Sequence, residues 1–159
     1  MINEEFRNID EDKTIENAKR VLNEYSQWRL KARRVSFDLQ SPSMDGMPKN
    51  HSFDNHEVEK HANKDNAEFM ASMVINVINA IGEVDEVTEY YAGILKMIYV
   101  KHYSNIRCMQ ELGLSEKTFY RYRRTAYLAF ASVYPPKLEK LLVHNSVPNK
   151  SGDSVLTWF

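Results

Sequence analysis

One glycine, Gly113, separates two stretches of helical periodicity in "CMQELGLSEKTFYRYRRTAYLAF", Cys108 to Phe130. No other feature constrains the fold as much. Glycine adopts the left-handed backbone at little cost, so a helix that ends at Leu112 can turn sharply there. Leu114 then returns to the core, and Ser115 is a strong N-cap for a second helix. Phe119, Tyr122, Ala126 and Phe130 recur at steps of three and four and so line a buried face. Lys117, Tyr120, Arg121 and Arg124 take the opposite face. Upstream, Cys108, Met109 and Leu112 are placed to pack the first helix, Asn105 to Leu112, against the second. Helix, tight turn, capped helix with an exposed basic face is the helix-turn-helix pattern.

The rest of the chain also reads as helix, which makes the expected fold class all-α. Ile15, Ala18, Leu22, Tyr25, Trp28 and Ala32 form one apolar stripe, with Thr14 as the expected cap. This N-terminal helical segment spans 1–35. Pro42, Gly46 and Pro48 then break the pattern, so 36–53 is expected to be a linker loop. Asp54 and Glu57 resemble a capping box that opens a long helix to about Ile81. Its expected apolar face is Val58, Ala62, Phe69, Met73, Val77 and Ile81, widened by Met70, Val74 and Ile78. From Val84, a further helix carries Val87, Tyr91, Ile94 and Ile98 at helical spacing. The helical domain spans 54–134, with the helix-turn-helix at about 105–130. Pro135-Pro136 ends it and opens a tail, 135–159, whose first part can form a short helix.

Charge is segregated along the chain. The formal net charge is −1. Yet Lys13 to Arg34 holds seven cations against two carboxylates, Asp54 to Glu89 nine carboxylates against two cations, and Lys96 to Arg124 seven cations against two carboxylates. Phosphate responds to the local field rather than to the total, so the two basic segments count individually. One cysteine, Cys108, excludes an internal disulfide and fits a reducing cytoplasm. No apolar run approaches the roughly 20 residues of a membrane span. The acidic start "MINEEFRNIDED" lacks a secretory apolar region. Neither a P-loop nor a dinucleotide glycine motif occurs.

A helix of this kind enters the major groove with its N-terminal residues nearest the bases. Ser115, Glu116, Lys117 and Tyr120 are placed for base edges, with Thr118 and Arg121 next. Arg121 can donate bidentately to guanine, and Glu116 can accept from cytosine. Arg123, Arg124, Lys101 and Arg107 are better suited to phosphates, which position the protein without specifying sequence. Double-stranded DNA is therefore the expected partner.

The same stretch resembles the C-terminal helix-turn-helix of sigma-factor region 4. More closely, it is similar to the ArpU family of phage late-gene transcriptional regulators. Three features carry that likeness: "SPSMDGMPK" (Ser41 to Lys49), the acidic-apolar helix after it, and "ELGLSEKTFYRYRRTAYLAF". The resemblance covers most of Thr14 to Tyr134. It implies a cytoplasmic, sequence-specific regulator of phage or prophage genes, acting as an activator and without a cofactor. By the same likeness Glu116 to Arg124 is the reading helix and Asn105 to Leu112 its scaffold. Two other classes stay open: a sigma-like adaptor that binds host RNA polymerase, and a DNA-packaging protein of small-terminase type.

Other signals are weaker. His51, His56 and His61 are spaced by five, which does not place ligands on one helical face, so no metal site is expected. Cys108 occupies an apolar position of the motif. No nucleophile stands with a base, so no enzymatic activity is expected. Trp28 with Tyr25 suits either a homodimer contact or core. The basic run Arg29 to Arg34 suits either a second DNA contact or a solvated helix end favoured by the helix dipole.

Overall fold

The Asp10 carboxylate accepts the Lys13 amide at 3.2 Å, as an N-cap does, and α1 (Glu11–Gln40) follows directly. In this computed structural model residues 6–40 and 55–146 are described. Thr14, the expected cap, is instead fully buried one turn into the helix, and its Oγ1 accepts the Val143 amide at 3.0 Å. The helix also continues through Ser36–Gln40, the expected start of the linker. Nothing stops it there: Val35 is buried, and the Ser36 hydroxyl donates to the Ala32 carbonyl at 3.0 Å within the helix. The expected loop at 41–53 and the cap at Asp54 fall outside the described residues.

Helix α2 (Asn55–Gly82) lies against α1. Its buried residues are Ala67, Ala71, Val74, Val77, Ile78 and Ile81, and all but Val77 alternate steps of four and three, the spacing of a helix-pair seam. On α1 the matching residues are Ala18, Val21, Leu22, Tyr25, Ala32 and Val35. Val58, Ala62 and Phe69, expected on the buried side, are exposed. Val58 is nine residues before Ala67 and Phe69 two after it, which at about 100° per residue puts both near the opposite side of the helix. At its C-terminal end Gly82 lets α2 approach the next helix closely, since a Cβ there would stand 3.0 Å from the Ala92 Cβ.

Asp85 opens α3 (Glu86–Leu95) with a reciprocal cap: its Oδ1 accepts the Thr88 amide at 2.8 Å, and Thr88 Oγ1 accepts the Asp85 amide at 2.9 Å. Ala92, Ile94 and Leu95 are buried, whereas Val87, expected to be buried, is exposed. The helix then widens into a π-helical turn, Lys96–Val100, closed by the Lys101 amide donating to the Lys96 carbonyl at 3.0 Å. The extra residue sets Tyr99 Oη 2.7 Å from Tyr127 Oη. Helices α4 (Asn105–Leu112) and α5 (Glu116–Val133) complete the all-α fold.

Leu22, Ile78, Ile81, Leu95, Phe130 and Tyr134 share one core drawn from α1, α2, α3 and the end of α5. After Pro135 the chain turns at Pro136–Leu138 rather than forming the expected terminal helix, and returns across α1. Leu141 and Leu142 are buried there. The Asp10 amide donates to the Val143 carbonyl at 2.7 Å, the Asn145 amide to the Asn8 carbonyl at 2.8 Å, and Asn17 Nδ2 to the Leu141 carbonyl at 3.1 Å. Arg20 of α1 pairs with Glu139 of the same segment. Residues 135–146 of the expected tail are therefore a docked segment. Among the described residues, no helix is long and apolar enough to cross a membrane.

Candidate nucleic-acid interface

The turn between α4 and α5 is built from three residues. Gly113 has φ +65° and its amide closes the last turn of α4, while the Leu114 amide donates to the Met109 carbonyl at 3.0 Å. A Cβ on Gly113 would meet nothing within 4 Å, so the backbone angle alone calls for glycine. Ser104 and Ser115 cap the two helices, accepting the Arg107 and Thr118 amides at 3.2 and 3.3 Å. Beneath the turn, Ile94, Cys108 and Phe119 are fully buried, with Met109, Leu112, Leu114 and Tyr122 packed around them. Burial pushes the Cys108 thiol up, with smaller opposing effects from its backbone hydrogen bond and Arg107, so it remains a neutral apolar filler at ordinary pH.

This small core fixes which way α5 faces. Glu116, Lys117, Arg121 and Arg124 are exposed, and Tyr120 is 40% exposed with its ring edge-on to Phe119. Ser115 also donates to Thr118 Oγ1 at 3.0 Å, which leaves these two hydroxyls engaged in the cap. The Arg121 guanidinium lies 5.5 Å from the Tyr122 ring centroid. Arg123 lies 5.0 Å over Tyr120 and reaches Asn105 Oδ1 at 3.4 Å, joining α5 to the start of α4. Arg107 stacks on Tyr103 at 3.7 Å with Glu111 Oε1 at 3.9 Å, and Lys101 approaches the same ring at 5.7 Å. Lys101 and Arg107 thus share the Tyr103 ring, while Arg123 spans Tyr120 and Asn105. The stacking is legible in retrospect, because Tyr103 and Arg107 are four residues apart.

Arg124 behaves differently. Its Nη2 donates to Glu11 Oε2 at 2.9 Å and Asp12 Oδ1 at 3.1 Å, in the first turn of α1. The hydrogen bond to Glu11, followed by that to Asp12, raises its pKa further above the ordinary arginine value. Arg124 is therefore shared between the exposed arc of α5 and a contact with α1. Local sequence carries no sign of this contact, because the partners are more than 110 positions apart.

Among the described residues, no group of three or more His, Cys, Asp or Glu side chains is arranged to hold a metal ion. His51 and the His56 side chain lie outside those residues, and His61 is exposed. The surface on α5 offers cations, aromatic rings and hydroxyls, the groups that engage phosphates and base edges.

A family model described as "Protein of unknown function (DUF1492)" matches residues 46–131. That span exceeds half of the 159 residues, and the chain belongs to this family. It takes in α2 to most of α5 and leaves α1 outside. No curated protein and no solved structure matches the chain.

Proposed function

We propose that this DUF1492 family member is a sequence-specific, double-stranded DNA-binding regulator of phage or prophage genes, of the ArpU kind, reading DNA with α5. The observation that carries this reading is the outward face of a capped helix after a left-handed glycine turn. There Lys117 and Arg121 stand exposed beside Tyr120, and neither has a carboxylate partner among the described residues. Cations left without carboxylate partners on a helix aimed by its own core are suited to a polyanion. Glu116, Lys117, Tyr120 and Arg121 meet base edges, with Ser115 and Thr118 at the capped end. Lys101, Arg107 and Arg123 meet phosphates, and Arg124 does so when released from α1. The role follows from binding: occupancy of a promoter-proximal site directs transcription, with activation of late genes as its expected sign.

Competition binding tests the reading. Wild-type protein should retain one phage fragment against excess unrelated DNA. Arg121→Ala should relax the preference by about 1–3 kcal/mol at one base position. Equal affinity of wild type and variant for all fragments would remove α5 as the reading helix.

A second reading has its own observation. Val84, Val87 and Tyr90 are exposed at the start of α3, where Glu86, Glu89 and Glu111 line a shared groove with Tyr90 and Leu112. An acidic rim around apolar side chains suits a basic protein surface, such as one on host RNA polymerase. Recovery of polymerase from host lysate after nuclease digestion tests this adaptor role.

A further inference from the structure

The arginines of the described residues differ in what holds them. Arg20, Arg107 and Arg124 have carboxylate partners. Arg29 and Arg33, one turn apart on the C-terminal half of α1, are exposed and have none among the described residues. Arg29 is held by an aromatic neighbour instead: its Nη1 donates to Tyr25 Oη at 3.2 Å, and the guanidinium lies 5.8 Å from that ring centroid. Both arginines line a groove of about 530 Å³ between α1 and α2. Ser36, Ser72 and Asn76 supply further polar groups, and Glu68 is the one carboxylate in the lining. Glu68 forms no ion pair with either arginine.

The α1 side of the groove lies along the helix from a contact with the segment that precedes the helix-turn-helix. Ser26 Oγ of α1 lies 3.3 Å from His102 Nε2, and His102 stands between Lys101 and the Tyr103–Ser104 start of α4. Arg33 is seven residues beyond Ser26, on the same flank of the helix and about 10.5 Å further along it. Arg29 is four residues before Arg33 and shares that flank. Lys31, five residues from Ser26, points away and lies over the Trp28 ring at 5.3 Å. One flank of α1 therefore runs from the Ser26–His102 contact, beside the segment that enters α4, to Arg29 and Arg33.

We propose that Arg29 and Arg33, with Ser72 and Asn76 across the groove, form a second contact for the DNA phosphate backbone, so that a duplex held by α4 and α5 continues along α1. This rests on the DNA-binding reading above and extends it to α1, which lies outside the matched family span. The contact lengthens the footprint and raises affinity for every sequence alike, because phosphates carry no base identity.

The salt dependence of duplex binding, followed by fluorescence anisotropy, tests it. Each phosphate contact adds roughly 0.9 to the slope of log affinity against log salt. Arg29→Ala with Arg33→Ala should lower that slope by roughly 1.8, leave base preference unchanged, and regain most of the slope as Arg29→Lys with Arg33→Lys. Lys31→Ala should leave the slope as in wild type. Shortening the duplex on the α1 side should cost wild type the same slope and the double alanine variant nothing. An unchanged slope in the double variant, with wild type still bound, would overturn the second contact and leave the α5 reading standing. A slope equally reduced by Lys31→Ala would reduce the effect to general charge and also overturn it. Failure of wild type to bind any duplex would overturn both.

Discussion

Arg124 on the proposed reading helix and Glu11 at the start of α1 are joined by a 2.9 Å hydrogen bond, with Asp12 adding a second at 3.1 Å. The contact places two carboxylates where a DNA phosphate would otherwise meet the guanidinium. All three side chains are substantially exposed, so the pair contributes no more than about 1 kcal/mol, screened by salt.

Neutralising the acids should therefore favour DNA. Glu11→Gln with Asp12→Asn should tighten duplex binding by roughly twofold to fivefold at low salt, less at high salt, and by nothing in an Arg124→Ala background. A gain that persists without Arg124 would show that the acids act through the general field.

The Gly113 turn should be costly to alter. A side chain in the left-handed region costs about 1–2 kcal/mol, and asparagine tolerates it better than alanine. Gly113→Ala should lower the thermal midpoint by several degrees and Gly113→Asn by less, as followed by circular dichroism. Equal stability of Gly113→Ala and wild type would contradict the turn geometry.

Cys108 is fully buried and its thiol is held neutral by desolvation. Alkylation by iodoacetamide at neutral pH should be slow in the native protein and fast in denaturant. Cys108→Ser should destabilise by about 1–3 kcal/mol, because it buries a hydroxyl among apolar side chains. Rapid native alkylation would mean that the small core under the turn opens readily.

Stability should fall in alkali. Burial first, and the hydrogen bond to Tyr127 second, push the Tyr99 phenol well above its ordinary 10.0. Burial pushes the Tyr134 phenol up from the same value. Below pH 10 these phenols are neutral in both folded and unfolded chains, so their contribution is complete. Above it the unfolded chain releases protons that the folded chain retains, and stability declines. Urea midpoints measured across that range should fall with pH, and less steeply in Tyr99→Phe. An identical decline in the variant would remove Tyr99 from the account.

The parts of the fold legible in the sequence were those marked by local chemistry. Gly113 and Ser115 place the end of α4 and the start of α5 at the residues expected, because a left-handed turn and a cap act within a few positions. Phe119, Ala126 and Phe130 are buried as their spacing requires. The buried side of α2 was less legible. Its apolar residues satisfy more than one helical stripe, and contact with α1, which periodicity does not encode, selects the one containing Ala67 and Ala71. The π-helical turn leaves almost the same side-chain spacing as an α-helix, and it is the Lys101 amide donating to the Lys96 carbonyl, five residues back, that reveals it. The return of Leu141–Asn145 across α1 joins ends of the chain more than 120 residues apart. In the candidate interface, the exposure of Lys117, Tyr120 and Arg121 was readable from position alone. The diversion of Arg124 to Glu11 and Asp12 was not.

The most direct measurement is binding of the full chain to a library of phage-derived fragments at two salt concentrations, with unrelated DNA as competitor. The account predicts one retained fragment above a salt-sensitive background, with its preference relaxed by Arg121→Ala. Equal, weak, salt-dependent binding to every fragment would contradict it.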